Sequence, residues 1–185
     1  MFTLAAALML TGTAAPGAVM FDAGGYRSER YRSPVDRLPT PATPIEAAEV
    51  RTLSVKGRAI LIDVLPAEGG RRDAKGRWQL ATPHQTIPGA LWFPEVGRAS
   101  PEPALWRAFS ARITRLRRTR PAEDIVVFCR ADCWMSWNAA RRLALGGQRR
   151  VRWFSDGIEG WHHAGGKLVP ARPEQAPPAP DQQGE

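Results

Sequence analysis

Two short runs restrict the fold of this chain more than any other feature. "RAILIDVL" (residues 58–65) follows Gly57 and ends at Pro66, and "DIVVFC" (residues 124–129) ends on a cysteine. Both are too short for an ordinary helix, and neither alternates apolar with polar residues as a half-wet strand does. Such runs read as strands buried on both faces, which places them inside a parallel sheet covered on each side.

Helical spacing fills the intervals. In "SPEPALWRAFSARITRLRR", Leu105, Phe109, Ile113 and Leu116 share one face and the arginines take the other, with Ser100 as the expected cap and Pro101 in the first turn. "TPIEAAEVRTL" predicts a helix capped by Thr43, with Pro44 at the first position, Glu46 completing a capping box, and Ile45, Ala48 and Leu53 facing a core. "WMSWNAARRLALGG" is a third helix, closed by Gly146 and Gly147. "RVRWFSDG" supplies another strand, "IEGWHHAGG" a short helical end, and Ala90 to Phe93 a short strand between prolines. The segment at 66–86, "PAEGGRRDAKGRWQLATPHQT", reads as a long loop without structure of its own, the kind that tends to be functional or mobile. Strands alternating with helices predict an α/β fold, a single domain with a mostly parallel central sheet flanked by helices.

A chain of 185 residues has room for one such domain and its extensions. Residues 1–18 form an uncharged run ending in small residues, the pattern of a signal peptide, although no positive n-region precedes it. Gly12, Pro16 and Gly17 break the run, so it predicts export to the periplasm rather than a stable membrane span. Residues 19–42, rich in Gly, Pro, Ser and Arg, read as an extended N-terminal arm, residues 43–169 as the domain, and residues 170–185 as a disordered Pro-rich tail.

The formal net charge is +8, carried by arginine, which suits an acidic partner, an anionic substrate or an anionic surface. No zinc-finger, RRM-like or homeodomain-like pattern accompanies the charge, so nucleic acid is not the expected partner. Arg117, Arg118, Arg120, Arg141, Arg142, Arg149, Arg150 and Arg152 supply much of it, as a solvated face or as a docking face.

Both cysteines lie in "FCRADCWMSW" (residues 128–137). Ligands of open α/β sheets bind beyond the carboxyl ends of the strands, where Cys129 stands. A loop curled toward the next helix would aim backbone N–H groups of residues 130–134 at the sulfur, and Arg130 adds positive charge, so a lowered thiol pKa is expected at Cys129. Cys133 has Asp132 as its neighbour, whose charge opposes ionisation. A disulfide across three intervening residues would close too small a loop to add much stability, so a reactive pair is the more natural reading. The alternative is an inert, buried cysteine at a strand end. The spacing fits neither a thioredoxin-type motif nor c-type haem attachment. A zinc site would need two further ligands, for which only His162 and His163 are near in sequence, so neither metal nor cofactor is expected.

"LIDV", "IPGALWFP", "IVVFCRADCW" followed by a helix, and "VRWFSDGIEGW" occur in order over roughly residues 43–165, and together they resemble a rhodanese domain. The resemblance implies a rhodanese-like fold in which Cys129 carries a persulfide during sulfur transfer from a small sulfur or thiol substrate. "FCRADCWMSWNAA", "PHQTIPGALWFPEVG" and "FDAGGYRSERYRSP" further resemble an exported subgroup associated with PQQ-dependent alcohol catabolism and named for a paired-cysteine and tryptophan motif. On these grounds Cys129 is the expected catalytic nucleophile and Cys133, in the same turn of loop, its resolving partner, with Arg130, Ala131, Asp132 and Trp134 forming the anion- or persulfide-binding loop. Four positions depart from the usual pattern. Asp132 and Trp134 stand where a second basic or hydroxyl side chain is common, Leu65 replaces an arginine after "LIDV", and Thr86 replaces a histidine before "IPGA". The rival reading is a non-catalytic module that docks a periplasmic quinoprotein dehydrogenase or cytochrome c through arginines and an exposed tryptophan. Trp134 suits a pocket wall or docking surface as well as a core, Trp92, Trp153 and Trp161 read as core, and Asp63 reads as a structural hydrogen-bonding residue.

Overall fold

In the computed structural model, which describes residues 20–175, the chain builds one α/β domain. In chain order its elements are β1 (Thr43–Pro44), α1 (Ala47–Val55), β2 (Ala59–Asp63), β3 (Arg71–Arg72), β4 (Trp78–Gln79), β5 (His84–Thr86) and β6 (Leu91–Trp92). These are followed by α2 (Pro103–Thr119), β7 (Asp124–Phe128), α3 (Trp134–Leu145), β8 (Val151–Phe154), α4 (Gly157–His163) and β9 (Val169–Ala171). Five strands form a parallel sheet in the order β1-β8-β7-β2-β6. The two apolar runs are its neighbouring central strands, β2 and β7, and every residue of both is buried.

Alternation along those strands divides the core in two. Ile60, Ile62, Ile125 and Val127 pack with Leu105, Phe109 and Ile113 of α2 and with Met135, Ala139 and Leu143 of α3. Leu61, Val126, Phe128 and Phe154 pack with Val50 of α1 and Trp161 of α4. Each large apolar side chain buried this way contributes ~1.5–3 kcal/mol.

The element ends differ from expectation where a tertiary partner outcompetes a local cap. Thr43 and Pro44 do not open a helix. They pair with Arg152 and Trp153 at the sheet edge, a place that tolerates proline, and α1 starts after Glu46 with no side-chain cap. Val50 takes the buried place expected of Ala48, which is exposed. Helix α2 begins at Pro103 rather than at Ser100 and Pro101, because Pro103 fills the first helical position and the Glu102 carboxylate binds Arg72. The segment at 66–86 is not structureless. It carries the β3–β4 hairpin, turned by Asp73, which accepts the Lys75 and Arg77 amides at 2.9 Å each. The tail does not begin at Pro170: β9 pairs antiparallel with β5, and Glu174 donates its amide to the Trp92 carbonyl at 2.8 Å. The signal-peptide reading of residues 1–18 lies outside the described residues. Among the described residues, no helix is long and apolar enough to cross a membrane.

Candidate functional site

Cys129 directly follows β7, and Cys133 is the N-cap of α3, so the loop Arg130–Ala131–Asp132 joins a buried strand to a helix start. Asp132 makes the turn at φ 53, and its side chain is exposed. The loop is pinned from below by α4. Cys129 O accepts the Ile158 amide at 3.0 Å, and a Cβ on Gly157, which sits at φ +55, would approach that oxygen to 2.3 Å.

The two thiols face each other. Cys129 Sγ lies 3.5 Å from the Cys133 carbonyl oxygen and hydrogen-bonds the Cys133 thiol. Ser136 supports the pair, donating its hydroxyl to Cys133 O at 3.1 Å while accepting Trp153 Nε1 at 3.1 Å. Ionisation falls on the opposite member from the one expected. The hydrogen bond from Cys129 pulls the Cys133 thiol down to about 7; burial opposes this, and the Met135 and Arg130 amides and the Arg32 charge assist. Burial raises the Cys129 thiol well above the ordinary range, and Cys133 raises it further. Cys133, at the N-cap of α3, has the Cys129 thiol, two amides and the Arg32 charge to offset its burial, whereas burial dominates at Cys129, so the charge falls on Cys133.

Two of the amides expected to cradle an anion, those of Ala131 and Trp134, already have other partners. Glu159 of α4 accepts the Ala131 amide at 3.0 Å and Arg130 Nε at 3.0 Å. Burial raises the Glu159 pKa, but these two donors outweigh it and hold the carboxyl below its usual value. The Trp134 amide donates to Tyr31 O at 2.8 Å.

The N-terminal arm closes over the loop. Arg32 bridges to Cys133, Ser33 N bonds Asp132 O at 3.0 Å, and Trp134 Nε1 donates to Ser33 Oγ at 3.0 Å. Arg27 lies 4.7 Å over the Trp134 ring, and its backbone N–H and C=O are both held by Asn138, at 2.9 Å each. As a result Cys129 is 0% exposed, Cys133 2% and Trp134 1%. Trp134 is therefore a buried contact for the arm and not an exposed docking residue. Trp92, Trp153 and Trp161 are in the core.

The arginines do not form one free face. Arg120 pairs with Glu123, Arg150 with Asp124, and Arg152 with Glu49 and Asp124. Arg117 and Arg141 bond backbone carbonyls, and Arg142 packs 3.9 Å over Tyr26 while bonding Arg98 O and Ala99 O. Most of that charge is committed to holding loops together.

Asp63 is the structural anchor expected, with one partner that was not. Its Oδ1 accepts the Leu65 amide at 2.8 Å, and its Oδ2 accepts Thr86 Oγ1 at 2.6 Å and lies 2.7 Å from His84 Nε2. Thr86 holds the carboxylate in place of the histidine common there, and His84, two residues earlier on the same face of β5, joins it. The period of two along a strand is the signal that could have found His84.

A family model for the rhodanese-like domain matches residues 46–164. No curated protein matches the chain significantly. Among solved structures, the BH2092 protein from Bacillus halodurans is 23% identical, with a TM-score of 0.44, over 69% of this chain and 77% of that one. Thiosulfate sulfurtransferase from Pseudomonas aeruginosa is 19% identical, with a TM-score of 0.46, over 75% of this chain and 22% of that one. As-Sb reductase from Leishmania major is 16% identical, with a TM-score of 0.46, over 70% of this chain and 92% of that one. Likenesses this distant carry no statement about activity. The family match spans most of the domain, from the start of α1 through α4 and including the cysteine loop, and on it this chain belongs to the rhodanese-like domain family.

Proposed function

We propose that this is an exported rhodanese-like protein whose cysteine pair performs thiol–disulfide exchange on a small sulfur substrate. The observation that carries the reading is the Cys133 sulfur at the N-cap of α3, its pKa drawn down by the Cys129 thiol. In the first step the Cys133 thiolate attacks one sulfur of a small disulfide, the S–S bond breaks, and a thiolate leaves. Cys129 then gives up its proton to that thiolate and attacks the Cys133 sulfur, releasing the second thiolate, which takes a proton from water, and closing a Cys129–Cys133 disulfide. The substrate disulfide is reduced and the dithiol is oxidised. Sulfur transfer would begin with the same attack on a sulfane sulfur and leave a persulfide. The Glu159 carboxylate on the loop amides favours substrates without a strongly anionic sulfur group.

Export is supported by the uncharged leader with small residues at its end. A role in PQQ-dependent alcohol oxidation rests on the subgroup motifs, two of which, the arm and the cysteine loop, pack together. A docking module for a quinoprotein dehydrogenase or cytochrome c has less support, since Trp134 is buried and most of the named arginines have internal partners.

Intact-mass measurement of periplasmic protein exposed to hydroxyethyl disulfide tests this. Wild type should pass to the internal disulfide, Cys129→Ser should accumulate a mixed disulfide on Cys133, and Cys133→Ser should stay unmodified near neutral pH. The same masses should lack the leader. A mixed disulfide formed on Cys129 in Cys133→Ser as fast as on Cys133 would overturn the assignment, and an intact Met1 would overturn export.

A further inference from the structure

Closing the disulfide makes a demand that the first attack does not. While Cys133 is a thiolate it accepts the hydrogen of the Cys129 thiol, which keeps Cys129 protonated. Once Cys133 is bonded to a substrate sulfur that negative charge is gone, and Cys129 must ionise where it is fully buried. Burial opposes the charge more than any other cause does. The Cys133 carbonyl oxygen, 3.5 Å from Cys129 Sγ, suits a thiol that donates and repels a sulfur that has become an anion. A buried anion is tolerated only where hydrogen-bond donors replace the water it has lost.

Ser136 can supply two such donors. It is the third residue of α3, so its amide is one of the helix-start N–H groups without an intrahelical partner. These amides are shared out: that of Trp134 goes to Tyr31 O, that of Met135 to Cys133, and that of Ser136 to Cys129. The hydroxyl stands at the same carbonyl oxygen as Cys129, with Ser136 Oγ 3.1 Å from Cys133 O. Trp153 Nε1 donates to Oγ at 3.1 Å from β8, which fixes the oxygen while its own hydrogen can turn between the carbonyl and the sulfur. Ser136 is fully buried, so no solvent competes for that hydrogen. Cys133 does not draw on Ser136: it is lowered by the Cys129 thiol, the Met135 and Arg130 amides and Arg32.

We propose that Ser136 activates Cys129 for disulfide closure, its hydroxyl turning from Cys133 O to Cys129 Sγ as that sulfur ionises and its amide donating beside it. The proposal rests on the thiol-exchange reading. Cys129 passes its proton to the thiolate released in the first step, and Ser136 gains and loses none. The Cys129 thiolate attacks Cys133 Sγ, the Cys129–Cys133 bond forms and the bond from Cys133 to the substrate sulfur breaks. The second thiolate leaves and takes a proton from water. Capture of substrate by Cys133 is thus independent of the Ser136 hydroxyl, and Ser136 sets how long the mixed disulfide lasts.

Intact-mass kinetics of the full chain with hydroxyethyl disulfide test this. In Ser136→Ala the mixed disulfide should form on Cys133 within about twofold of the wild-type rate and close about tenfold more slowly. The double variant Ser136→Ala/Trp153→Phe leaves no indole N–H without a partner and should close as slowly. Trp153→Phe alone keeps the hydroxyl and should close within about threefold of wild type. A second readout does not use the exchange reaction. In Cys133→Ser isotope-labelled at cysteine Cβ, the signal of Cys129 reports its ionisation. Adding Ser136→Ala should move the onset up by about one pH unit, a roughly tenfold loss of thiolate at a given pH. Wild-type closure in both Ser136 variants, or an unmoved Cys129 onset, would overturn the proposal. Absence of any mixed disulfide in the wild type would instead count against thiol exchange, and the Cys129 signal would still decide whether Ser136 stabilises that thiolate.

Discussion

At the scale of residues, the chemistry is set by which of two adjacent sulfurs holds the proton. Cys133 gains from the Cys129 thiol and from the amides at the helix start, while at Cys129 burial and the neighbouring Cys133 outweigh the help that Ser136 gives. Removing the donor with Cys129→Ala should therefore move the Cys133 titration upward from about 7, read as the midpoint of alkylation rate against pH. A depressed thiol pKa contributes stability that is complete above the ordinary value of 9.0 and is lost as pH falls through about 7. The raised pKa of Cys129 acts in the opposite sense. An unchanged midpoint in the variant would mean that the amides and Arg32, not the second thiol, hold Cys133 down.

At the scale of elements, the burial of the cysteines depends on the arm. Residues 20–42 have little secondary structure, yet Arg27, Tyr31, Arg32 and Ser33 cover both cysteines through backbone and ring contacts. Asn138 is the strap, bonding both backbone groups of Arg27 and also Gly97 O at 2.9 Å. Asn138→Ala leaves several buried backbone groups without partners, so it should cost ~2–4 kcal/mol in urea denaturation. The same change should speed native-state alkylation of Cys133 by loosening the arm. Loss of stability with no gain in alkylation would show that substrate reaches the thiol without the arm moving.

At the scale of the whole molecule, stability lies in the two layers packed on β2 and β7. Phe109 is fully buried against Phe93 and Trp106, with ring centroids at 4.8 and 5.2 Å. Phe109→Ala should cost ~3–5 kcal/mol in chemical denaturation. Leu145→Ala, at the 55% exposed end of α3, should change stability by less than ~0.5 kcal/mol. The net charge of +8 does not imply a sticky face, because many arginines tie α2, α3 and β8 to carbonyls and carboxylates.

The central strands, the three longer helices and the position of the cysteine loop were legible in the sequence, because runs such as "DIVVF" and the 105–109–113 spacing encode burial locally. Edge pairing was not legible. Thr43–Pro44 reads as a helix start until β8 offers it backbone partners, and Val169–Ala171 reads as tail until β5 does. The closure of the arm, Glu159 on the loop amides and His84 on Asp63 likewise join residues 21 to 111 positions apart. The sequence determined where the cysteine pair would stand, at the end of a buried strand and the start of a helix. Only the tertiary structure decided which thiol ionises and what covers it, because burial, amide direction and opposing charges are properties of contacts between distant segments.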